Sequence, residues 1–220
     1  MKHIDKSKIL STKYKEWVEK LDLEKKKHPH SSRYELDVKM NLFYCQEGLC
    51  AYTEMRLCEL DKIAESKWQN GRYKESNVDK FGSLDHFNPG LKEDKFFDWD
   101  NLFMVHTDIN FKKHDKEVDI ILKPDLPDYD PYRLLKYNPK THFFYPHPAL
   151  RDDERARIDR MIGVLQLNHG MVRYERESYL NEAGIFHQKG LEFKPDRFFT
   201  AYQMTDFQDY NISYGGKSYG

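Results

Sequence analysis

Long apolar runs are absent. Nowhere do the roughly eighteen consecutive hydrophobic residues of a membrane span occur, and the opening MKHIDKSKIL has none of the apolar stretch of a signal peptide. A cytosolic protein with no membrane attachment is therefore expected. Cysteine is scarce: Cys45, Cys50 and Cys58 are an odd number, which argues against a disulfide framework and for reduced thiols. No excess of one charge exists either, with 36 Lys and Arg against 37 Asp and Glu. The field of the whole molecule gives no strong pull toward nucleic acid, and a stand-alone tight DNA binder is normally more basic. Positive charge is only local, nine lysines against five acids in residues 1–30, and a solvated helix face with a Lys-rich end explains it. No internal repeat is found.

What is present suits a folded α+β chain, mainly helical. The 220 residues are enough for one sizeable core, or a core plus a helical subdomain. From Ser11, Tyr14, Trp17, Val18 and Leu21 recur at the spacing of an amphipathic helix, which HPH ends. Ser32 and Glu35 have capping-box spacing and open a second helix that runs to about Gly48. Residues 50–81 read as a partly helical insertion with a turn at Asn70-Gly71. GSLDHF and FFDWDNLFMVH read as short strands separated by a loop, NPGLKEDK, and TDINFKKHDKEVDI as a helix. Pro124, Pro127 and Pro131 mark an irregular crossing, and THFFYP a strand. DDERARIDRMIGVLQLN sets Ile158, Met161, Ile162 and Leu165 on one helical face, and GMVRYERESYLNEAG looks like its hairpin partner, stopped at Gly184. The final stretch is aromatic and then glycine-rich, either a docking arm or a loose tail. The expected organisation is an N-terminal helical region over 1–49, a core with an insertion over 50–123, a C-terminal helical subdomain over 124–190 and an aromatic arm over 191–220.

The chemistry-bearing residues fall in the strand, loop, strand, helix segment. LDHFNP places Asp85 beside His86, DWDNLFM brings Asn101, and DINFKKHDK brings Asn110, Lys113 and His114. Phosphodiester cleavage needs a base for water and a divalent cation to polarise the phosphoryl oxygen and carry charge on the leaving oxygen. An imidazole with a pKa near 6.5 can be that base. Asp85 and Asn110 offer hard oxygen ligands for a single Mg²⁺ or Mn²⁺. Neighbouring strand residues face opposite ways, so Asp85 and His86 can serve one phosphate only where the strand ends or is distorted. Asn110 falls in the first helical turn, where free N–H groups favour a phosphate. Lys113, three residues on, is expected on the same face and against the same phosphate, and His114 beside it faces phosphate or solvent.

This order of residue types resembles the HNH, or ββα-metal, nuclease motif in its His-Asn-Asn form, over residues 84–116. The resemblance implies a ββα-metal core embedded between the N-terminal helices and the C-terminal helical hairpin. It also implies that Asn101 holds the loop and orients the histidine backbone without touching substrate. The likeness extends through GLCAYTE, DWDNL and VLQLN followed by VRYER, which together are similar to the HNH proteins that accompany ABC-type ATPases in Septu antiphage systems and in some retrons. The implied activity is a DNA-directed nuclease, the effector of an antiphage system, held and regulated by an ATPase partner and in some cases associated with retron components. A nuclease that borrows its DNA affinity from a partner need not be basic. The chain departs from the pattern where many HNH proteins bind structural zinc through two Cys-x-x-Cys knuckles. The corresponding positions are Cys50 and Thr53, then His106 and Ile109; two of four ligands are missing. Structural zinc is not expected, apolar packing around Ile109 replaces it, and the cysteines are buried small residues. Trp99 is an anchor for the second strand. Arg173 and Arg176 either touch nucleic acid or are helix-surface charges. Two other readings stay open: an RNA substrate such as tRNA, because the motif sees only a phosphodiester, and a degenerate HNH fold that serves as a binding subunit.

Overall fold

The computed structural model describes residues 1–11, 33–75, 82–92 and 98–210, together with Tyr14, Glu16, Val18 and Glu19. Of the first expected helix, Tyr14 is buried and Val18 packs against the core, while Trp17 and Leu21 lie outside the described residues, as does the Ser32 cap. Helix α1 (Arg33–Cys45) buries Val38, Met40, Leu42 and Phe43. It is followed by a reversal at Gly48, whose φ of +72° and whose approach to the Cys58 carbonyl leave no room for a side chain; a Cβ would sit 2.2 Å from that oxygen. The expected insertion contains a short helix, α2 (Leu60–Ile63), and a small hairpin of β1 (Trp68–Gln69) and β2 (Arg72–Tyr73). Asn70 and Gly71 both take positive φ there, the requirement of a two-residue hairpin turn.

Strand β3 (Ser83–His86) pairs antiparallel with β4 (Leu102–Val105), Asp85 opposite Phe103 and His86 opposite Leu102. All four residues of β4 are buried. Its edge is satisfied by a side chain: the Gln46 amide donates to the Met104 carbonyl and accepts from the Met104 N–H, both at 2.8 Å. Helix α3 (Thr107–Lys113) starts directly after His106, whose Nδ1 accepts from the Asp108 N–H. It is shorter than its sequence pattern suggested, because His114 takes a φ of +49° and ends it.

Beyond the proline-rich crossing come α4 (Pro131–Leu134), a hairpin of β5 (Leu135–Asn138) and β6 (Phe143–Pro146), then α5 (Asp152–Val164), α6 (Gly170–Gln188) and α7 (Phe199–Gln203). Ile158, Met161, Ile162 and Leu165 are all buried, as their spacing predicts. Gly184 does not stop α6; it is buried inside the helix, which runs one further turn. The aromatic arm, up to Tyr210, docks on its own chain. Glu54 accepts from the Thr200 N–H at 2.9 Å and from its hydroxyl, and Tyr179 meets Phe193 edge to face and Phe198 at a tilt.

The segment Met1–Ser11, expected to belong to a helical region, has no regular secondary structure and is anchored by a few buried residues. Met1 and Ile4 are buried, Ile4 N–H bonds the Pro124 carbonyl, and the Lys6 ammonium meets the Leu102 carbonyl and Asp125, each at 3.1 Å. Trp99, the expected anchor, donates its indole N–H to the Lys6 carbonyl at 3.0 Å. The chain is thus an α+β fold with three separate two-stranded antiparallel sheets among the described residues, around a continuous hydrophobic cluster. No described helix is long and apolar enough to cross a membrane.

Candidate active site

The site grows from the way β3 and β4 end together. After the His86–Leu102 pair, the Phe87 N–H donates to the Asn101 carbonyl at 2.8 Å. The Asn101 side chain then clamps the next residue at two points: its Oδ1 accepts from the Asn88 N–H at 2.8 Å and its Nδ2 donates to the Asn88 carbonyl at 3.0 Å. Asn88 in turn caps the Pro89–Leu91 turn by accepting from the Gly90 N–H. A buried amide with both ends satisfied fixes the chain immediately beyond His86. Asn101 therefore holds the backbone two residues beyond His86.

Helix α3 closes the other side. Its Asn110 amide lies 3.5 Å from the Leu84 carbonyl, tying helix to strand. Between β3, the Pro89 turn and α3 opens a cleft of about 440 Å³, lined among others by Asp85, His86, Lys92, Asn110, Phe111 and His114. Four of the predicted site residues, Asp85, His86, Asn110 and His114, are thus brought to one cavity. Asp85 and His86 are the last two residues of the strand.

Asp85 is buried at the base of this arrangement. The Tyr52 hydroxyl donates to its Oδ2 at 2.5 Å and the Lys113 ammonium to its Oδ1 at 3.1 Å, while Lys113 also donates to the His86 carbonyl at 2.7 Å. Burial pushes the Asp85 carboxyl above the usual carboxylate range, against the opposing pull of Lys113 and the Tyr52 hydrogen bond. The same burial, with Asp85 beside it, raises the Tyr52 phenol well above its ordinary value.

Lys113 requires a correction. Expected to meet a phosphate, it is 0% exposed and turned inward. On α3 it lies one turn beyond Ile109, also 0% exposed, and shares that packed face; the i to i+4 relation to Ile109 wins over the i to i+3 relation to Asn110. His114 is exposed beside the cleft, with its Nδ1 2.5 Å from Asp115 Oδ1. Tyr52 is the site residue that the sequence reading missed, because its partner stands 33 positions away. Arg176 is corrected too. It is buried, bonded to the His142 and Leu167 carbonyls, and stacked over Phe144 at 4.6 Å, and burial lowers its guanidinium to about 10. It pins α6 to the β5–β6 hairpin and does not reach a ligand.

Cys50 and His106, one from each half of the zinc pattern of many HNH proteins, meet through a backbone contact. The Cys50 Sγ accepts from the His106 N–H at 3.4 Å, and Ile109 fills the core beneath. Burial raises the thiols of Cys50, Cys45 and Cys58, the last two to about 11. Among the described residues no group of three or more His, Cys, Asp or Glu is placed to hold a metal. Asp85 and Asn110 nevertheless suit Mg²⁺ or Mn²⁺ by donor type. Both are hard oxygen donors on one cleft, a carboxylate has about four lone-pair sites of which two are used here, and such ions commonly take only one or two protein ligands besides water and phosphate. Lys113 forms an ion pair with Asp85 Oδ1 at 3.1 Å.

No family model matches this chain, and no curated protein is significantly similar to it.

Proposed function

We propose that the chain is a metal-dependent HNH endonuclease that cleaves DNA phosphodiester bonds, acting as the effector of an antiphage defence system under an ABC-type ATPase partner. The observation that carries the reading is the convergence of Asp85, His86 and Asn110 on one open cleft, with Asn101 clamping the backbone just past the histidine. The proximity of Cys50 to His106, at the positions of the two zinc knuckles, supports the same architecture.

In this proposal Asp85 and Asn110 would hold one Mg²⁺ or Mn²⁺, which when bound polarises the phosphoryl oxygen and carries charge on the leaving oxygen. His86 takes the proton of the attacking water, a task suited to an imidazole near neutral pH. Asn101 aims His86 by holding Phe87 and Asn88, and Lys113 holds both the Asp85 carboxylate and the His86 carbonyl. Balanced charge, −1 overall, fits a nuclease that receives DNA through its partner.

The test is cleavage of plasmid DNA by the chain with its ATPase partner. Nicking that requires Mg²⁺ or Mn²⁺ and disappears in His86→Ala is expected. Intact plasmid beside fragmented tRNA would move the substrate to RNA. Absence of cleavage of either polymer, with unaltered protection of cells by His86→Ala, would make the chain a binding subunit.

A further inference from the structure

One residue on the cleft wall has no role in the chemistry above. Phe111 is 78% exposed, the most exposed large hydrophobic side chain among the described residues, although it sits in the middle of a helix whose other face is fully packed. A single exposed apolar residue needs no explanation by itself. Its place does. Thr107, Asn110 and Phe111 of α3 line the cleft together with His86 and with His114, which ends the helix, and a spacing of four puts Thr107 and Phe111 on one helical face. Phe111 is also the immediate neighbour of Asn110. An aromatic face therefore stands beside the position given to a phosphate, on a cleft that also carries Lys92 and His114, the latter with its Nδ1 2.5 Å from the carboxylate of Asp115. At about 440 Å³ the cleft lies within the range of about 300–1,000 Å³ in which small organic groups are held, enough for a nucleotide unit.

We infer that Phe111 is a substrate-binding residue that stacks on a nucleobase next to the scissile phosphate, so that the site takes a strand with a base free of its own neighbours, as in a single strand or an opened duplex. The inference rests on the nuclease reading and adds the substrate form to it. Stacking suits a phenyl ring because every base has a π-face, so the contact confers grip without sequence preference. A stacked base beside the phosphate also restricts how the backbone enters the cleft, which favours alignment of the scissile bond with His86.

The experiment measures binding of a dye-labelled single-stranded DNA by fluorescence anisotropy, with chelator present to stop cleavage, for the chain in complex with its ATPase partner, as wild type, Phe111→Ala and Phe111→Trp. The exposed position makes both variants tolerable to the fold. Phe111→Ala is expected to weaken binding by about 5- to 150-fold, the worth of one base–aromatic stack, and Phe111→Trp to retain it. A strand of the same length built from base-less sugar phosphates should bind the wild type and Phe111→Ala equally. Equal affinity of wild type and Phe111→Ala for the normal strand, or an equal loss on the base-less strand, overturns the inference, as does loss of the ATPase partner in place of loss of the strand. If plasmid cleavage dependent on His86 persists in that case, the nuclease reading survives. A wild-type complex with its ATPase partner that neither binds strands nor cleaves overturns both.

Discussion

Replacing Lys113 by methionine keeps most of the aliphatic stem and removes the ammonium that meets Asp85 at 3.1 Å and the His86 carbonyl at 2.7 Å. Both partners of this ion pair are buried, so the variant leaves the Asp85 carboxylate with the Tyr52 hydroxyl alone. Breaking a buried pair from one side costs about 3–5 kcal/mol, because the remaining charge is neither solvated nor compensated. Against a total stability of about 5–15 kcal/mol for a typical domain, that is a large fraction. The same change at a solvent-facing, phosphate-binding lysine would stay within about 0.5 kcal/mol. Urea denaturation followed by tryptophan fluorescence separates the two. The double variant Asp85→Asn with Lys113→Met removes the stranded charge and is expected to be more stable than Lys113→Met alone. Acidification should also recover part of the deficit. Asp85 already has its folded-state pKa raised above the ordinary carboxylate value, and a group so raised binds its proton more tightly in the folded protein, favouring folding as pH falls. A cost below about 1 kcal/mol for Lys113→Met, or a double variant no more stable than the single one, would refute the buried-pair argument.

Asn101→Ala deletes both bonds to Asn88. It is expected to cost about 1–3 kcal/mol, at about 0.5–1.5 kcal/mol per hydrogen bond, read as a lowered melting temperature, and to reduce cleavage further than the stability loss accounts for. Gly48→Ala meets both a positive φ and a carbonyl oxygen 2.2 Å from the new Cβ; a loss of at least about 2 kcal/mol in urea denaturation is expected from strain and overpacking. His142 is buried with its Nδ1 2.6 Å from the Tyr137 hydroxyl, and burial lowers its pKa. The unfolded chain therefore binds the extra proton first, so stability should decline as pH falls from about 6.5 toward the folded-state value. Melting temperatures measured from pH 7 to pH 5 should fall more in the wild type than in His142→Gln.

The parts of the fold that were legible in the sequence are those set by local chemistry. The 3.6-residue recurrence of Ile158, Met161, Ile162 and Leu165 reports a packed helix face directly, and all four are buried. Asn70-Gly71 announces its turn because few other residues accept positive φ twice in succession. The fixed distances from Asp85 to Asn110 survive folding because strand pairing brings His86 opposite Leu102, next to Asn101, and the helix follows without a linker. What stayed hidden depends on partners distant in sequence. Lys113 lies near both Asn110 and Ile109 along a helix, and only knowledge of which face is packed chooses between them. Tyr52 and Asp85 meet across 33 positions, Glu54 and Thr200 across 146. The burial of Lys6 needs carbonyls and a carboxylate from two remote segments. Gly184 carries the usual helix-stop signal, yet packing outweighs its cost of about 1 kcal/mol within a helix.

Chemical rescue of His86→Ala tests the central claim most directly. Plasmid nicking by the variant with its ATPase partner, in Mn²⁺, should be lost at neutral pH and return in part when free imidazole is added, since the cleft beside Asn110 is open to a small base. Nicking by His86→Ala at the wild-type rate without imidazole would contradict the assignment.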